Sequence, residues 1–393
     1  MHEKPTLLFL TRYRLDEPFS LRFKFDSQLK AFKRMGLDCS MIGYEKSGFY
    51  LIHGGERTRL CSAHTDLPQY EHLFFFMEFG RAIQIAAKLH PEYDYAYFRE
   101  TPGFFMLHRG LMRLCAHTRI ICEIPTYNAN GTTGEKQHGP RALFVRYGNF
   151  WKKRDAGAFS LYALIGAENP AGKFNGKPSV NIRNGIDMEA LPVREPKRET
   201  ALHLLALGSM GKWHGFDRAI RSAAAYRGDI PYVLHLAGGN DGGCLPQWQS
   251  LAEELHCGEH VVFEGPCYGE RLNALFDLCD VGISSLAAFR NGAERLYSLK
   301  LREYLARGLP VLYAADDPAL ETDPTANTFC MVIPNDDSIP DWESVLRFAK
   351  QTREQPALPQ TIRAFAETHF TWESQFEKVF AQLIRTKKEE PYE

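Results

Sequence analysis

The chain reads as an α/β protein made of two doubly wound halves. Three observations carry that expectation. Its 393 residues exceed what one hydrophobic core usually fills, strand-like and helix-like apolar patterns alternate through both halves, and the polar, proline-bearing stretch VNIRNGIDMEALPVREPKRET separates them. With 44% apolar and 24% charged residues, each half has the material for a packed core.

The first half opens with the strand-like TLLFLT, then a helical stretch from Phe19 to Met35, then the strand-like CSMIGY. The helical GRAIQIAAKLH, the strand YDYAYFR, a helix around Met106 to Ala116 and the strand RIICEIP follow. This alternation predicts a parallel sheet. The second half repeats it as ALHLLAL, DRAIRSAAAY, YVLHLAG, WQSLAEELH, VVFEG, RLNALFDLC, VGISS, LKLREYLARG and VLYA, which is five strands alternating with four helices. TWESQFEKVFAQLIRTKK is an amphipathic helix whose polar start is Thr371 and Glu373. The expected organisation is one domain over 1–190, a second over 191–370, and a C-terminal helix over 371–393 that is able to pack back on the first.

Composition narrows the function classes. The net charge is −1, but residues 1–195 carry 27 Lys+Arg against 20 Asp+Glu and residues 196–393 carry 20 against 28. An anionic surface therefore suits the first half. MHEKPTLLFL lacks the apolar core of a signal peptide, and no apolar run nears the ~18–20 residues that span a bilayer, so a cytoplasmic protein is expected. Nine cysteines occur without a CxxC pair, which signals neither a zinc site nor a disulfide framework, and most are expected as buried thiols.

In an open parallel sheet, ligands bind beyond the carboxyl ends of the strands. Gly208 and Ser209 follow the first strand of the second half, with Lys212 close behind, Gly238 and Gly239 follow the next, and Gly265 follows the third. The fourth leads to SLKLREYLARGLP. Here Ser298 is a helix N-cap, the amides from Leu299 onward face a phosphate, Lys300 adds a charge, and Glu303 offers two oxygens to a pair of vicinal hydroxyls. Phosphate beside a diol describes a nucleotide. The plainer alternative is a packed amphipathic helix burying Leu299, Leu301, Tyr304 and Leu305. No G-x-G-x-x-G follows either leading strand, no G-x-x-x-x-G-K-[ST] exists, and no D-x-D pair near a strand end grips a metal–nucleotide. No metal is expected.

NGID at Asn184 to Asp187, KWHGFDR at Lys212 to Arg218, DVGISSLAAFR at Asp280 to Arg290 and SLKLREYLARGLP together resemble glycosyltransferase family 4, in its bacterial surface-polysaccharide branch. ICEIPTYN at Ile121 to Asn128 is similar to the EIPTY segment of the same branch. The likeness is strong over residues 180–320 and patchy over 90–130. It implies a GT-B fold, two Rossmann-like domains facing an interdomain cleft, and transfer of a sugar from a nucleotide-sugar with retention of configuration. Glu303 matches the second glutamate of the family's paired motif, which binds ribose hydroxyls. Lys212 falls where a basic residue meets the diphosphate, and Ser298 and Leu299 match the helix start that holds it. The first glutamate of the pair corresponds to Arg295: either a one-residue insertion lets the neighbouring Glu294 serve in its place with a catalytic role, or the branch manages without it. Arg290 is a further diphosphate clamp on this reading, and the alternative is a solvated loop arginine. Glu123 and Tyr127 line the acceptor side, Glu123 with a catalytic role, and the Asn184-Gly185 pair stands there too. The alternative for Glu123 is a strand-end carboxylate paired with a nearby arginine.

FSLRFKFDSQLKAFKR (19–34) and RALFVRYGNFWKKR (141–154) interleave aromatic and basic residues, as the headgroup layer of an anionic membrane favours. The alternative is a core helix with a solvated basic face plus a basic loop. No nucleic-acid module is recognisable. The expected function is a hexosyltransferase-like enzyme acting on a glycan or lipid-linked acceptor, peripheral at the inner face of the membrane. Two readings stand beside it: a non-hydrolysing nucleotide-sugar epimerase, against which the family motifs argue, and an inactive GT-B protein binding nucleotide-sugar or glycan as an assembly partner.

Overall fold

The computed structural model describes residues 4–16, 21–65, 74–127, 140–166, 169–315 and 317–389. It divides into two compact units, Met1–Arg183 with Trp372–Glu393, and Asn184–Thr371.

The first unit is built on β1 (Thr6–Arg14), β2 (Asp38–Glu45), β3 (Gly48–His53), β4 (Glu56–Cys61), β5 (Tyr95–Arg99), β6 (Arg119–Tyr127), β7 (Phe159–Gly166), β8 (Lys173–Phe174) and β9 (Lys177–Ile182). Helices α1 (Arg22–Arg34), α2 (Phe74–Leu89), α3 (Phe105–Leu114) and α4 (Pro140–Asp155) lie between them. The sheet order is β4-β3-β2-β1-β5-β6-β7-β9-β8. The strands from β2 across to β9 pair in parallel, and their residues are buried on both faces: Ala96 and Phe98 of β5 face one core and Tyr97 the other. The sheet is nevertheless mixed, not parallel throughout. β2, β3 and β4 form an antiparallel meander, and β8 pairs antiparallel with β9. Gly54 and Gly55, both at positive φ, make the two-residue turn that lets β4 fold back on β3.

The second unit follows the alternation read from sequence and adds to it. It contains β10 (Leu202–Leu207), α5 (Phe216–Ala225), β11 (Tyr232–Ala237), α6 (Leu245–Glu254), β12 (Val261–Gly265), α7 (Gly269–Leu278), β13 (Val281–Ile283), α8 (Leu299–Ala306), β14 (Val311–Tyr313), α9 (Pro318–Thr322), β15 (Cys330–Val332), α10 (Trp342–Arg353) and α11 (Leu358–His369). The six strands are all parallel in the order β12-β11-β10-β13-β14-β15, which is the doubly wound arrangement with its switch point between β10 and β13.

Residues 184–190 belong to this second unit. The Ile186 amide donates to the Phe370 carbonyl at 2.8 Å, and Ile186, Met188 and Leu191 join its core. Helix α12 (Trp372–Glu389) belongs to the first. Its Trp372, Phe376, Val379 and Leu383 recur at three- and four-residue spacing and are all buried, with Phe376 stacked on Phe32 of α1 at 4.0 Å. All nine cysteines are free thiols, five of them buried. Among the described residues no helix is long and apolar enough to cross a membrane.

Candidate functional site

At the switch point of the second sheet, one tyrosine sets the position of α8. Tyr304 is fully buried; its hydroxyl accepts from the Leu207 amide at 2.8 Å and lies 3.1 Å from the carbonyls of Leu205 and Ile283. It thereby ties α8 to both strands that diverge there. Asn184 Nδ2 donates to the Tyr297 carbonyl at 2.9 Å and braces the approach to the helix from the domain boundary. Asn184 and Gly185 thus belong to the unit that carries α8, whereas the sequence reading put them on the acceptor side.

Ser298 occupies the N-cap position in extended conformation, yet its side chain makes no capping hydrogen bond. The first helical bond runs from the Arg302 amide to the Ser298 carbonyl, so the amides of Leu299, Lys300 and Leu301 find no acceptor among the described residues. Such an end favours an anion. Lys300 is part-buried; its ammonium donates to His214 Nδ1 at 2.7 Å and stands 4.7 Å from the Phe216 ring centroid. Burial pushes its pKa well below the ordinary lysine value. Glu303, one turn further on, accepts from Arg307 Nε at 3.1 Å through Oε1, and burial raises its pKa. Its second oxygen has no partner among the described residues.

The loops around this helix are closely fitted. Gly238 has φ +143°, and a Cβ there would overlap the Gly208 carbonyl oxygen, so glycine at this strand end is a packing requirement. The Gly208 amide donates to Ala237 and the Gly238 amide to Gly265, fixing the three loops in series. Ser209 Oγ lies 3.5 Å from His214 Nε2, and a Cβ on Gly239 would meet Pro266 at 3.9 Å. Lys212 and Glu294 are exposed, and neither side chain has a partner among the described residues.

Arg290 does not stand open to a ligand. Its guanidinium binds both oxygens of Asp217 at 2.8 and 2.9 Å, Asp337 at 2.7 Å and the Lys212 carbonyl at 3.1 Å, and the two carboxylates hold its pKa above the usual arginine value. The expected diphosphate clamp is a staple that joins the loop after β13 to α5 and to the segment after β15. Among the described residues no group of three or more His, Cys, Asp or Glu side chains is placed to hold a metal ion.

Proteins of known structure share this architecture along almost their whole length. Sucrose-phosphate synthase from Thermosynechococcus elongatus superposes with a TM-score of 0.63 at 16% identity, over 98% of this chain and 100% of that one. The catalytic domain of starch synthase IV from Arabidopsis thaliana, bound to ADP and acarbose, gives 0.63 at 11% identity over 97% and 99%. WaaG, a glycosyltransferase involved in lipopolysaccharide biosynthesis, gives 0.58 at 17% identity over 95% and 98%. The fold is GT-B. No protein-family model matches the chain, and no curated protein matches its sequence.

In the first GT-B domain the structure corrects the role expected of Glu123. Its carboxylate is completely buried and saturated: Lys24 at 3.0 Å, Gln28 at 2.6 Å, the Tyr97 hydroxyl at 2.7 Å and Arg99 all donate to it. Burial alone would raise its pKa; Lys24 and Arg99, with the hydrogen bonds of Tyr97 and Gln28, outweigh that and hold it at about 2. Glu123 is thus the centre of an internal ion cluster and faces no ligand. The side chain of Tyr127 lies outside the described residues.

The two aromatic–basic segments also separate. Over 21–34 the helix is a core element: Phe25 and Phe32 are buried, Lys24 belongs to the Glu123 cluster, and Phe23 is exposed. Phe19 lies outside the described residues. Residues 141–154 form most of α4, not a loop. Leu143, Val145, Tyr147 and Phe150 of α4 are exposed beside Lys153 and Arg154, whose guanidinium lies 4.6 Å from the Phe150 ring. Phe105 and Met112 of α3 extend the exposed apolar surface of this domain.

The contact between His214 and Lys300 is not legible in the sequence, because the two residues stand 86 positions apart.

Proposed function

We propose that this GT-B chain is a metal-independent glycosyltransferase that moves a sugar from a nucleotide-sugar donor to a glycan or lipid-linked glycan in cell-surface polysaccharide synthesis, with retention of anomeric configuration. The observation that carries the reading is the entrance of α8, where among the described residues the first amides are uncapped, an ammonium faces no carboxylate and a carboxylate keeps one open oxygen, all at the switch point of a doubly wound sheet. The amides and Lys300 hold the diphosphate, and the open oxygen of Glu303 takes the ribose hydroxyls. Charge developing on the departing nucleoside diphosphate then meets donors already in place, and each such donor is worth ~2.7–4 kcal/mol of transition-state stabilisation. Lys212 and Glu294 approach from exposed loops, Lys212 to the diphosphate and Glu294 to the sugar in place of the motif glutamate displaced by Arg295. The likeness in fold to a glycosyltransferase described as involved in lipopolysaccharide biosynthesis supports a surface glycan as acceptor.

The enzyme works in the cytoplasm against the inner membrane face, which α4 approaches with its exposed aromatic and basic side chains. Sedimentation with anionic liposomes at low salt tests this part: co-sedimentation lost at high salt is expected, and no binding at low salt refutes it.

The activity is tested by incubating the chain with a panel of nucleotide-sugars in EDTA, with and without lipid-linked acceptors, and following nucleoside diphosphate release and product configuration by NMR. One donor is expected to give acceptor-dependent release and a retained anomer. Tight donor binding without release identifies the inactive binder instead.

A further inference from the structure

The loop after β10 carries a buried histidine that the reaction described above does not use. His214 is 8% exposed and lies in the short 3-10 turn Lys212–His214. Its ring is held on several sides: it stacks at 17° on Phe216 with centroids 5.3 Å apart, Nδ1 lies 3.2 Å from Ser285 Oγ, and its carbonyl accepts from the Leu286 amide at 2.8 Å. The ring therefore sits between the two loops that diverge at the switch point. Into this setting Lys300 brings its ammonium, 2.7 Å from Nδ1. An ammonium only donates, so Nδ1 is the acceptor and the ring proton sits on Nε2. Among the described residues no carboxylate lies within ion-pair distance of Lys300; the groups that face it are His214 and the Phe216 ring, with Ser285 beside the imidazole.

We propose that His214 is the positioning residue for Lys300: its neutral imidazole is the fixed acceptor that aims the ammonium at the donor's diphosphate. A carboxylate in the same place would fix the lysine equally well but would cancel its charge and repel the phosphates. A neutral nitrogen acceptor orients the ammonium, occupies one of its three protons and leaves its full charge for the ligand. Burial first, and the Lys300 charge second, push the His214 pKa down to about 2, so the ring stays neutral through the physiological range. The inference rests on the reading of the α8 entrance as a diphosphate site.

The electrostatics give this arrangement a distinct signature. Burial lowers the pKa of Lys300 in the empty site, and a bound diphosphate raises it again. Affinity for the diphosphate therefore falls on the alkaline side as the empty-site lysine loses its proton. Removing the acceptor at Nδ1 destabilises the ammonium further, which moves that alkaline limb to lower pH.

The test measures binding of UDP, ADP and GDP by calorimetry from pH 6 to 10 for the wild-type chain, His214→Phe and His214→Asn. Phenylalanine keeps the stacked ring without an acceptor, whereas the asparagine oxygen falls near the place of Nδ1. For the nucleotide bound best, His214→Phe is expected to weaken binding roughly tenfold or more at pH 7 and to shift the alkaline limb down by at least about half a pH unit. His214→Asn is expected to restore both, with affinity within about threefold of wild type. Equal losses in the two variants with an unmoved limb would mean that His214 only packs, and no loss in either would equally overturn the proposal. If wild type binds none of the three nucleotides, the diphosphate reading itself fails. Nitrogen NMR of the wild-type imidazole provides a check that needs no variant: a neutral ring protonated at Nε2 from pH 8 down to 5 is expected, and an Nδ1-protonated or cationic ring would overturn the proposal.

Discussion

Two groups of charges, one around the middle of β6 in the first domain and one at the entrance of α8 in the second, are finished differently. Around Glu123 every carboxylate oxygen is occupied, by Lys24 and Arg99 on one and by Gln28 and Tyr97 on the other, and nothing is left for a ligand. Around α8 the polar groups are only half used among the described residues: Lys300 meets a neutral imidazole, Glu303 spends one oxygen on Arg307, and the first amides of the helix meet no side chain. A buried charge with all its partners present holds a fold together, whereas one with open valences is arranged for something that arrives later. Arg290 looked like the second kind in sequence and belongs to the first, because Asp217 and Asp337 take its donors.

The comparison breaks most visibly at Glu123. Glu123→Gln leaves Lys24 and Arg99 without their shared carboxylate, and a loss of ~3–5 kcal/mol in urea unfolding at pH 7 is expected, with nucleotide binding by the folded fraction unchanged. Because the folded-state pKa of Glu123 lies at about 2, below its unfolded value, its contribution is fully present above the unfolded pKa of ~4.3. It is lost as the pH falls toward 2, so the gap between wild type and variant narrows over that window. A constant gap would mean that Glu123 acts through packing alone.

Lys300→Ala is the opposite case. Turnover should drop by ~10²–10³-fold, the equivalent of ~2.7–4 kcal/mol, while the unfolding midpoint holds or rises because a part-buried charge with no counter-ion among the described residues is removed. Glu303→Gln should weaken donor binding by ~1.5–3 kcal/mol, roughly tenfold to a hundredfold, and more for the ribonucleotide than for its 2′-deoxy analogue. Equal losses for the two nucleotides would take the ribose role from Glu303. The smallest effect belongs to Arg290→Ala, with ~1–2 kcal/mol of stability lost and only a few-fold change in turnover. A turnover loss matching that of Lys300→Ala would restore the clamp and erase the contrast.

What was legible follows the physics of each region. In the second domain the strands are short apolar runs separated by glycine loops, the inner ones buried on both faces and the edge strand VVFEG only in part, so the alternation is plain in LHLLAL, YVLHLA and VVFEG. The meander of the first domain is less so. β4 reads ERTRLC with its first four residues exposed, and only the Gly54-Gly55 pair announces the hairpin. Glu303 and Lys300 are local to one helix start and could be picked out from it. The saturation of Glu123 depends on Lys24 and Gln28, 99 and 95 residues away, and that of Arg290 on Asp217, 73 away. Residue type marks a candidate charge, but only tertiary structure tells whether its partners are already present.

The most direct measurement is a calorimetric titration of UDP, ADP and GDP into the wild-type chain, Lys300→Ala and Glu123→Gln at one pH and low salt. Binding of at least one nucleotide by wild type is expected, at least about tenfold weaker in Lys300→Ala and unchanged in folded Glu123→Gln. Wild-type affinity in Lys300→Ala, or a loss confined to Glu123→Gln, would contradict the assignment of the donor site to the entrance of α8.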